Sequence, residues 1–370
     1  MSTRRERIAV LLSGGVDSAL ALALLREAGH RLTAFYLKIW LEAELAFLGD
    51  CPWEEDLRYA RAVCDQLQVP LEVVPFQAEY QQAVVQYVLG ALHAGHTPSP
   101  DVLCNRAIKF GAFVDRVGGD YDAVASGHYA RLERAADGHA RLLRGVDPGK
   151  DQSYFLAYLR RQQLGRLRFP LGALRKHQVR AMARERGLAP SGRKDSQGIC
   201  FLGKLSYPAF VRAHLGEAPG PIREFAGGAR LGTHRGHWFH TIGQRQGLGL
   251  GDGPWYVVAK DTAANTVYVA HDPGAAAPAA VALVDGNWLE PAAPDVLYEQ
   301  PLLVRVRHGD TPRPCRLGAA AGGNGVAPTL RFDQPLPGIA SGQFAVLYGG
   351  VGGELCHGAG VMQRSELAHS

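Results

Sequence analysis

The stretch "IAVLLSGGVDSALALALL", Ile8 to Leu25, decides how the first third of the chain folds. An apolar run, Ile8 to Leu12, stops at Ser13-Gly14-Gly15, and Asp17-Ser18 opens an Ala/Leu-rich run. The first reads as a buried strand and the second, Asp17–Ala28, as a helix. A glycine turn that feeds a helix N-terminus offers free N–H groups and a partial positive charge, which suit a phosphate. Gly14 and Gly15 let the backbone approach closely, and the hydroxyls of Ser13 and Ser18 add donors. The lysine of a G-x-x-x-x-G-K-S/T loop is missing, and an acid, Asp17, stands near its place. The nearest such run, "GVDPGKD" from Gly145, is one residue short and lacks the Ser/Thr. Asp17 has two readings: a first-turn acid that stabilises its helix, or a carboxylate that meets a triphosphate through Mg²⁺.

Outward from this turn the types alternate. Leu32–Lys38, Leu71–Val74 and Tyr121–Ser126 read as strands, and Glu54–Leu67, Tyr80–Leu92 and Ile108–Val117 as helices. That alternation predicts an α/β domain, a parallel sheet covered by helices, with ligands at the carboxyl ends of its strands. The Gly14-Gly15 and Ser126-Gly127-His128 turns both fall there. A hairpin is expected around Asp137-Gly138, then short basic helices to about residue 205. From Ser206 glycine becomes dense ("GQRQGLGLGDG", Gly243–Gly253) and periodic helices vanish. "LLVRVRH" (Leu302–His308), "TLRFD" and "QFAVLY" alternate or run apolar as strands do. We expect three domains: 1–205, a small β-rich domain over 206–277, and a C-terminal β-barrel over 278–370.

The chain has 370 residues, 46% of them apolar and 20% charged, a globular balance too long for one core. No apolar run spans a bilayer, and the basic start (Arg4, Arg5, Arg7) leads straight into the first strand. The expectation is a cytoplasmic protein with no membrane partner. The cysteines are Cys51, Cys64, Cys104, Cys200, Cys315 and Cys356, with no C-x-x-C pair to argue for zinc. The net charge of +5 is uneven: residues 131–205 carry +11, flanked by −5 and −1. Such a block points to a polyanion, nucleic acid first. Lys176, Arg180 and Arg184 recur at helical spacing and would share one face, either against RNA or simply solvated.

Two further runs carry chemistry: "SPDVLCNRAIKF", Ser99–Phe110, and "RKDSQGICFLG", Arg193–Gly203. A thiol beside Arg193 and Lys194 is expected to be more acidic than usual. Thiolates carry sulfur as persulfides and exchange with a second thiol. Spacing alone does not join Cys104 to Cys200.

The turn "LSGGVDS" resembles the pyrophosphate loop of the N-type ATP pyrophosphatases (adenine nucleotide alpha-hydrolase-like proteins), which cleave ATP between the α and β phosphates. With "PDVLCNRAIKF", "ASGHYARL", "GKDQSYFLAYL", "DSQGICFLG" and "FHTIGQRQGLGLG" in this order, essentially the whole chain is similar to the bacterial tRNA-specific 2-thiouridylases. The resemblance implies an N-terminal ATP pyrophosphatase domain, a small central domain and a C-terminal β-barrel. It implies ATP with Mg²⁺, a tRNA substrate thiolated at the wobble uridine of the lysine, glutamate and glutamine tRNAs, and a sulfur-donor protein (a cysteine desulfurase or a relay protein). It assigns ATP contacts to Leu12, Ser13, Gly14, Gly15, Val16, Asp17, Ser18, Leu37 and Gly127. Cys104 is the implied nucleophile, Cys200 the implied persulfide carrier and disulfide partner of Cys104, and Asp101 an implied acid/base. Implied tRNA contacts are Ser99, Pro100, Asp101, His128, Lys150, Asp151, Gln152, Arg307, His308 and Gln343. Two positions depart from the family pattern. Ser99 stands where Asn is usual, and Gln197 where Thr is usual. Direct attack by the persulfide and release of hydrosulfide by Cys104 both satisfy the chemistry. Two other readings compete: an ATP pyrophosphatase amidotransferase or ligase for a small metabolite, and a nucleic-acid-binding module with a vestigial nucleotide site.

Overall fold

The computed structural model describes residues 5–39, 53–194, 206–290, 295–319 and 327–364. Strands β1 (Arg7–Leu11), β2 (Arg31–Lys38), β3 (Leu71–Pro75), β4 (Ala123–Ala125), β5 (Ala130–Arg134), β6 (Ala140–Arg144) and β7 (Leu167–Arg168) belong to the first half. Five of them form one sheet in the order β3-β2-β1-β4-β7, every neighbour parallel. The alternation along β1 sorts its side chains. Ile8 and Val10 face one core, with helices α1 (Val16–Glu27), α2 (Trp53–Leu67) and the later α7; Ala9 and Leu11 face the other. A strand covered on both faces must read as a continuous apolar run, and this one does.

On the second face lie two longer helices of mixed winding. Helix α3 runs through Gln77–Tyr80, a π-helical Gln81–Val85 and Gln86–His93. Helix α4 runs through Pro100–Leu103, a π-helical Cys104–Ala112 and Phe113–Arg116. The sequence predicts helix over Tyr80–Leu92 and Ile108–Val117; it misses the first half of α4, Pro100–Ala107, where Cys104 lies, and the wide turns, because a π insertion leaves the apolar content unchanged. Phe113 anchors α4 on the sheet, edge-on to Phe35 with ring centres 5.1 Å apart; its truncation to Ala costs ~3–5 kcal/mol. Short helices α5 (Ser153–Leu156), α6 (Arg161–Leu164) and α7 (Lys176–Glu185) follow the β5–β6 hairpin, which turns at Asp137-Gly138 as expected.

One helix departs from the expectation of none after Ser206: α8, Tyr207–Leu215. It is too short to show a period in sequence. Ser206 caps it through Ala209 N–H, and Phe210 and Val211 bury its inner side. Beyond it, β8 (Gly220–Glu224), β9 (Arg230–His234), β10 (Tyr256–Asp261) and β11 (Thr266–Ala270) form a sheet in the order β10-β11-β8-β9.

Strands β12 (Ala280–Trp288), β13 (Leu302–Arg305), β14 (Arg313–Gly318), β15 (Thr329–Phe332), β16 (Phe344–Gly349) and β17 (Leu355–Gln363) close on themselves. Each neighbour is antiparallel, and β12 pairing with β17 completes a six-stranded barrel. Its interior holds Leu283, Val304, Leu317, Leu330, Leu347 and Met362. Closure removes free strand edges, except that β17 also takes the β5–β6 hairpin, with Leu143 opposite Leu355. The Arg131–Glu354 ion pair (2.8 Å) and the Arg144 N–H to Glu354 O bond (2.9 Å) fasten that seam.

A candidate nucleotide and thiol site at the carboxyl edge of the sheet

The turn after β1 is closed by contacts that only glycine permits. Gly14 has φ +75°, and a Cβ there would sit 2.2 Å from the carbonyl oxygen of Asp56 in α2. Gly15 caps α1 in an extended conformation with no side-chain bond. Ser18 Oγ donates to Gly15 O (3.1 Å) and accepts from Ser13 N–H (3.2 Å), which folds the turn over the helix start. Gly127, after β4, lies against the same helix end, where an added Cβ would meet Ser18 N at 2.8 Å. Leu12 donates its N–H to Phe35 O (2.9 Å), and Leu37 is the second-last residue of the neighbouring strand.

The missing cation arrives from elsewhere. Lys176, the first residue of α7, puts Nζ 2.7 and 2.9 Å from the two carboxylate oxygens of Asp17. Tyr129 OH donates to the same carboxylate at 2.7 Å. The Lys176 side chain is 12% exposed, so this pair is shielded from solvent and salt more than a surface pair. Lys176, Arg180 and Arg184 do share α7, but the first turns to Asp17 and the second donates to Arg193 O (3.0 Å). The basic face of α7 is in large part committed inside the protein.

Arg193 binds the turn from the other side. It donates to Gly14 O (3.1 Å), pairs with Asp56 (2.8 Å) and lies over the Tyr59 ring at 4.5 Å. Burial raises the Asp56 pKa and Arg193 opposes that rise. Cys200, seven residues further on, lies outside the described residues, as does Cys51.

Cys104 opens the π-helical part of α4 and is 1% exposed. Asn105, 2% exposed, donates to Asp101 O (3.0 Å) and Phe155 O (3.4 Å), and its Oδ1 is buried without a partner among the described residues. Ser99 caps α4 with no side-chain bond, Pro100 follows at its first position, and Ser99 N–H donates to Tyr87 OH (3.4 Å). Phe110, on the same helix as Cys104, meets His128 at 5.9 Å between ring centres. His128 in turn holds Ser126 Oγ at 2.8 Å and follows Gly127 directly. This chain of contacts links the thiol-bearing helix to the glycine turn. Burial, with the Lys109 cation adding to it, pushes the His128 pKa down to about 3, so the ring is neutral at pH 7.

The remaining expected residues fall into two groups. Asp151 is 1% exposed, and its carboxylate is used inside the protein by Arg144 (3.0 Å), Arg305 (2.7 Å), Gly145 N–H (2.9 Å) and Ser153 N–H (3.1 Å). It therefore acts by holding its neighbours Lys150 and Gln152 and by fixing Arg305 beside Arg307 and His308. Gln152 accepts from Tyr129 N–H at 3.0 Å. His308 is exposed and packs on Phe155, 4.3 Å between rings. Arg307 donates to Gly338 O (2.8 Å) and to Ile242 O. Gln343 Oε1 is buried without a partner among the described residues. Orphaned amide oxygens at Asn105 and Gln343 are costly unless something binds them.

Lys176, Tyr129 and Asn105 were not picked out from sequence for these contacts. Tyr129 and Asn105 sit inside "ASGHYARL" and "PDVLCNRAIKF"; Lys176 lay in the basic block. The thiols of Cys64, Cys315 and Cys356 are buried, and burial pushes the pKa of each up to about 12. Among the described residues no group of three His, Cys, Asp or Glu side chains could hold a metal.

Three family models match successive stretches: the "tRNA methyl transferase HUP domain" over residues 6–204, the "tRNA methyl transferase PRC-barrel domain" over 208–271, and the "Aminomethyltransferase beta-barrel domain" over 280–362. The tRNA-specific 2-thiouridylase MnmA 1 of Bacteroides thetaiotaomicron is 42% identical over 96% of this chain and 99% of its own. The tRNA-specific 2-thiouridylase MnmA of Halorhodospira halophila is 41% identical, covering 100% of this chain and 96% of its own. Among solved structures, the U34-tRNA thiolase NcsA from Methanococcus maripaludis aligns over 53% of this chain and 60% of its own at 17% identity and a TM-score of 0.34, too low to argue from. A glycine turn braced by Asp17, Lys176 and Arg193, a thiol helix beside it, and relatives matched end to end place the chain in the tRNA-specific 2-thiouridylase family.

Proposed function

We propose that the protein uses ATP to replace the C2 oxygen of the wobble uridine of tRNA with sulfur, in the tRNAs for lysine, glutamate and glutamine. The observation that carries this reading is the link between the glycine turn and the Cys104 helix through Gly127, His128 and Phe110, at one edge of one sheet.

The Leu12–Ser18 turn, with Val16 and Ser18 at the start of α1, binds phosphates through backbone N–H groups and hydroxyls. The backbone of Leu37 reads adenine, and Gly127 leaves room beside it. Lys176 would pair with the phosphates, and Asp17 would hold Mg²⁺, which would supply charge neutralisation there. Uracil C2 is a poor electrophile and its oxygen a poor leaving group. Transfer of AMP to that oxygen, with loss of pyrophosphate, cures both. Sulfur then attacks C2 and the C–O bond breaks, releasing AMP. The sulfur comes from a persulfide on Cys200, loaded by a cysteine desulfurase or relay protein. Cys104 attacks the Cys200 sulfur and breaks its S–S bond; the outer sulfur keeps the electron pair and ends on C2, and the disulfide that closes must be reduced by an external thiol before the next turnover. Asp101 moves the proton. Ser99, Pro100, Asp101 and neutral His128 surround the base. Lys150, Gln152, Arg307, His308 and Gln343 hold the RNA, with Asp151 setting their positions.

The test is mass analysis of nucleosides after incubating the full chain with unmodified tRNA, ATP, Mg²⁺ and a sulfur source. The expected product is 2-thiouridine, lost in Cys200→Ser while tRNA binding persists. AMP release with a small acceptor, and no thiolated nucleoside, would overturn the reading in favour of a metabolite ligase.

A further inference from the structure

The turn Gly243–Gly247 stands where all three parts of the chain meet. Thr241 Oγ1 lies 2.6 Å from Thr97 Oγ1, two residues before Ser99. Arg307 of the barrel donates to Ile242 O, and Gly243 N–H donates to Val257 O at 2.7 Å. Ile242 and Leu248, on either shoulder, are buried in the core of the central sheet. Gln244 locks the bend: its Oε1 accepts from Thr241 N–H (3.1 Å), and its Nε2 donates to Gln246 O (2.9 Å). Gly243 and Gly247 take the left-handed φ values of +85° and +78° that let so short a turn reverse. Gly243 also lines a cleft of about 300 Å³ between β10 and the barrel, with Arg307 and Arg313 on its wall.

At the tip of this braced turn is Arg245, exposed and with no hydrogen bond or ion pair among the described residues. Some exposed arginines are engaged, Arg212 with Glu217 and Arg331 with Glu299. Arg61, Arg134 and Arg184 are exposed with side chains unpaired among the described residues, as Arg245 is, and what sets Arg245 apart is the braced turn beneath it. A cation presented on a backbone already fixed loses little entropy on binding. We propose that Arg245 is an RNA-binding residue that grips a backbone phosphate close to the target base. This deepens the tRNA reading above and rests on it. The same turn touches the segment leading to Ser99 and the barrel arginine that flanks His308, so a strand entering at the base site passes it.

The test is binding of unmodified tRNA by the full chain across a salt series, for wild type, Arg245→Ala, Arg245→Lys and, as control, Arg235→Ala. Arg235 lies on the same domain with its side chain 68% exposed. One lost phosphate contact predicts a Kd roughly 3–10-fold weaker at 0.1 M salt for Arg245→Ala, and a log–log salt slope smaller by about 0.7–0.9. Arg245→Lys keeps the slope, Arg235→Ala changes neither quantity, and the KM for ATP is the same throughout. Wild-type affinity and slope in Arg245→Ala overturn the inference while leaving the thiolation reading intact. Failure of the wild type itself to bind tRNA overturns both.

Discussion

Asp17 is paired by a lysine from α7, 159 residues away in sequence, and in the proposed reading that lysine is the cation the glycine turn otherwise lacks. Asp17 is held between Lys176 and Tyr129, and the proposed function has a nucleotide draw Lys176 away. Removing Lys176 leaves Asp17 facing the phosphates unopposed. Lys176→Ala is therefore expected to lower the rate of AMP formation on tRNA by ~10²-fold with tRNA affinity unchanged; equal loss of both would return Lys176 to an RNA-binding face. Periodicity placed Lys176, Arg180 and Arg184 on one helix side, and that was legible. What the side meets was not, because a pair between chain-distant residues leaves no local mark. Asp151 teaches the same lesson. Its motif marks it as important, but only burial and four internal donors assign the carboxylate an internal task.

Elements explain why the turn tolerates no side chain. Gly14 sits where the start of α1 meets the first turn of α2, with the Asp56 carbonyl filling the space a Cβ would need. Gly14→Ala therefore has to push two helices apart and hold a strained φ, at a cost of ~2–4 kcal/mol. Urea unfolding measures this; a midpoint within error of wild type would show that α2 gives way freely. Strands and long helices of the first half were legible from apolar runs and glycine boundaries, since a sheet covered on both faces demands such runs. The π-helical stretches in α3 and α4 were not. At Gly111 the widened turn brings the Arg106 carbonyl to 2.6 Å from where a Cβ would be, so composition permits the distortion without announcing it. Such insertions favour functional sites, and this one begins at Cys104.

At the scale of the whole molecule, the central sheet brings a set of histidines into its interior. His234, His237 and His240 are buried, Lys260 Nζ donates to His240 O at 3.0 Å, and His237 and His240 each keep a buried Nδ1 without a partner among the described residues. Burial first, then the neighbouring cations, pushes His237 and His240 down to about 4. A histidine whose folded pKa lies below its unfolded value leaves stability flat above pH ~6.5; stability falls as the unfolded chain gains protons, until the folded pKa is passed. The expected loss between pH 6.5 and 4 is on the order of 3 kcal/mol for each of the two at most. Equilibrium unfolding across that window checks it, and His240→Asn should flatten the slope; an unchanged slope would place the titration elsewhere. The barrel was legible from its alternating strands, but its closure was not, since pairing of β12 with β17 depends on distant register. Nor was the seam by which β17 takes up the β5–β6 hairpin. That seam sets an order of events at the ribosome. The hairpin emerges about 210 residues ahead of the strand that will cover it, an interval of roughly 10–40 s at ordinary synthesis rates. Until the final strand arrives, the early hairpin keeps an open edge, which is a template for pairing with a neighbouring chain on the polysome.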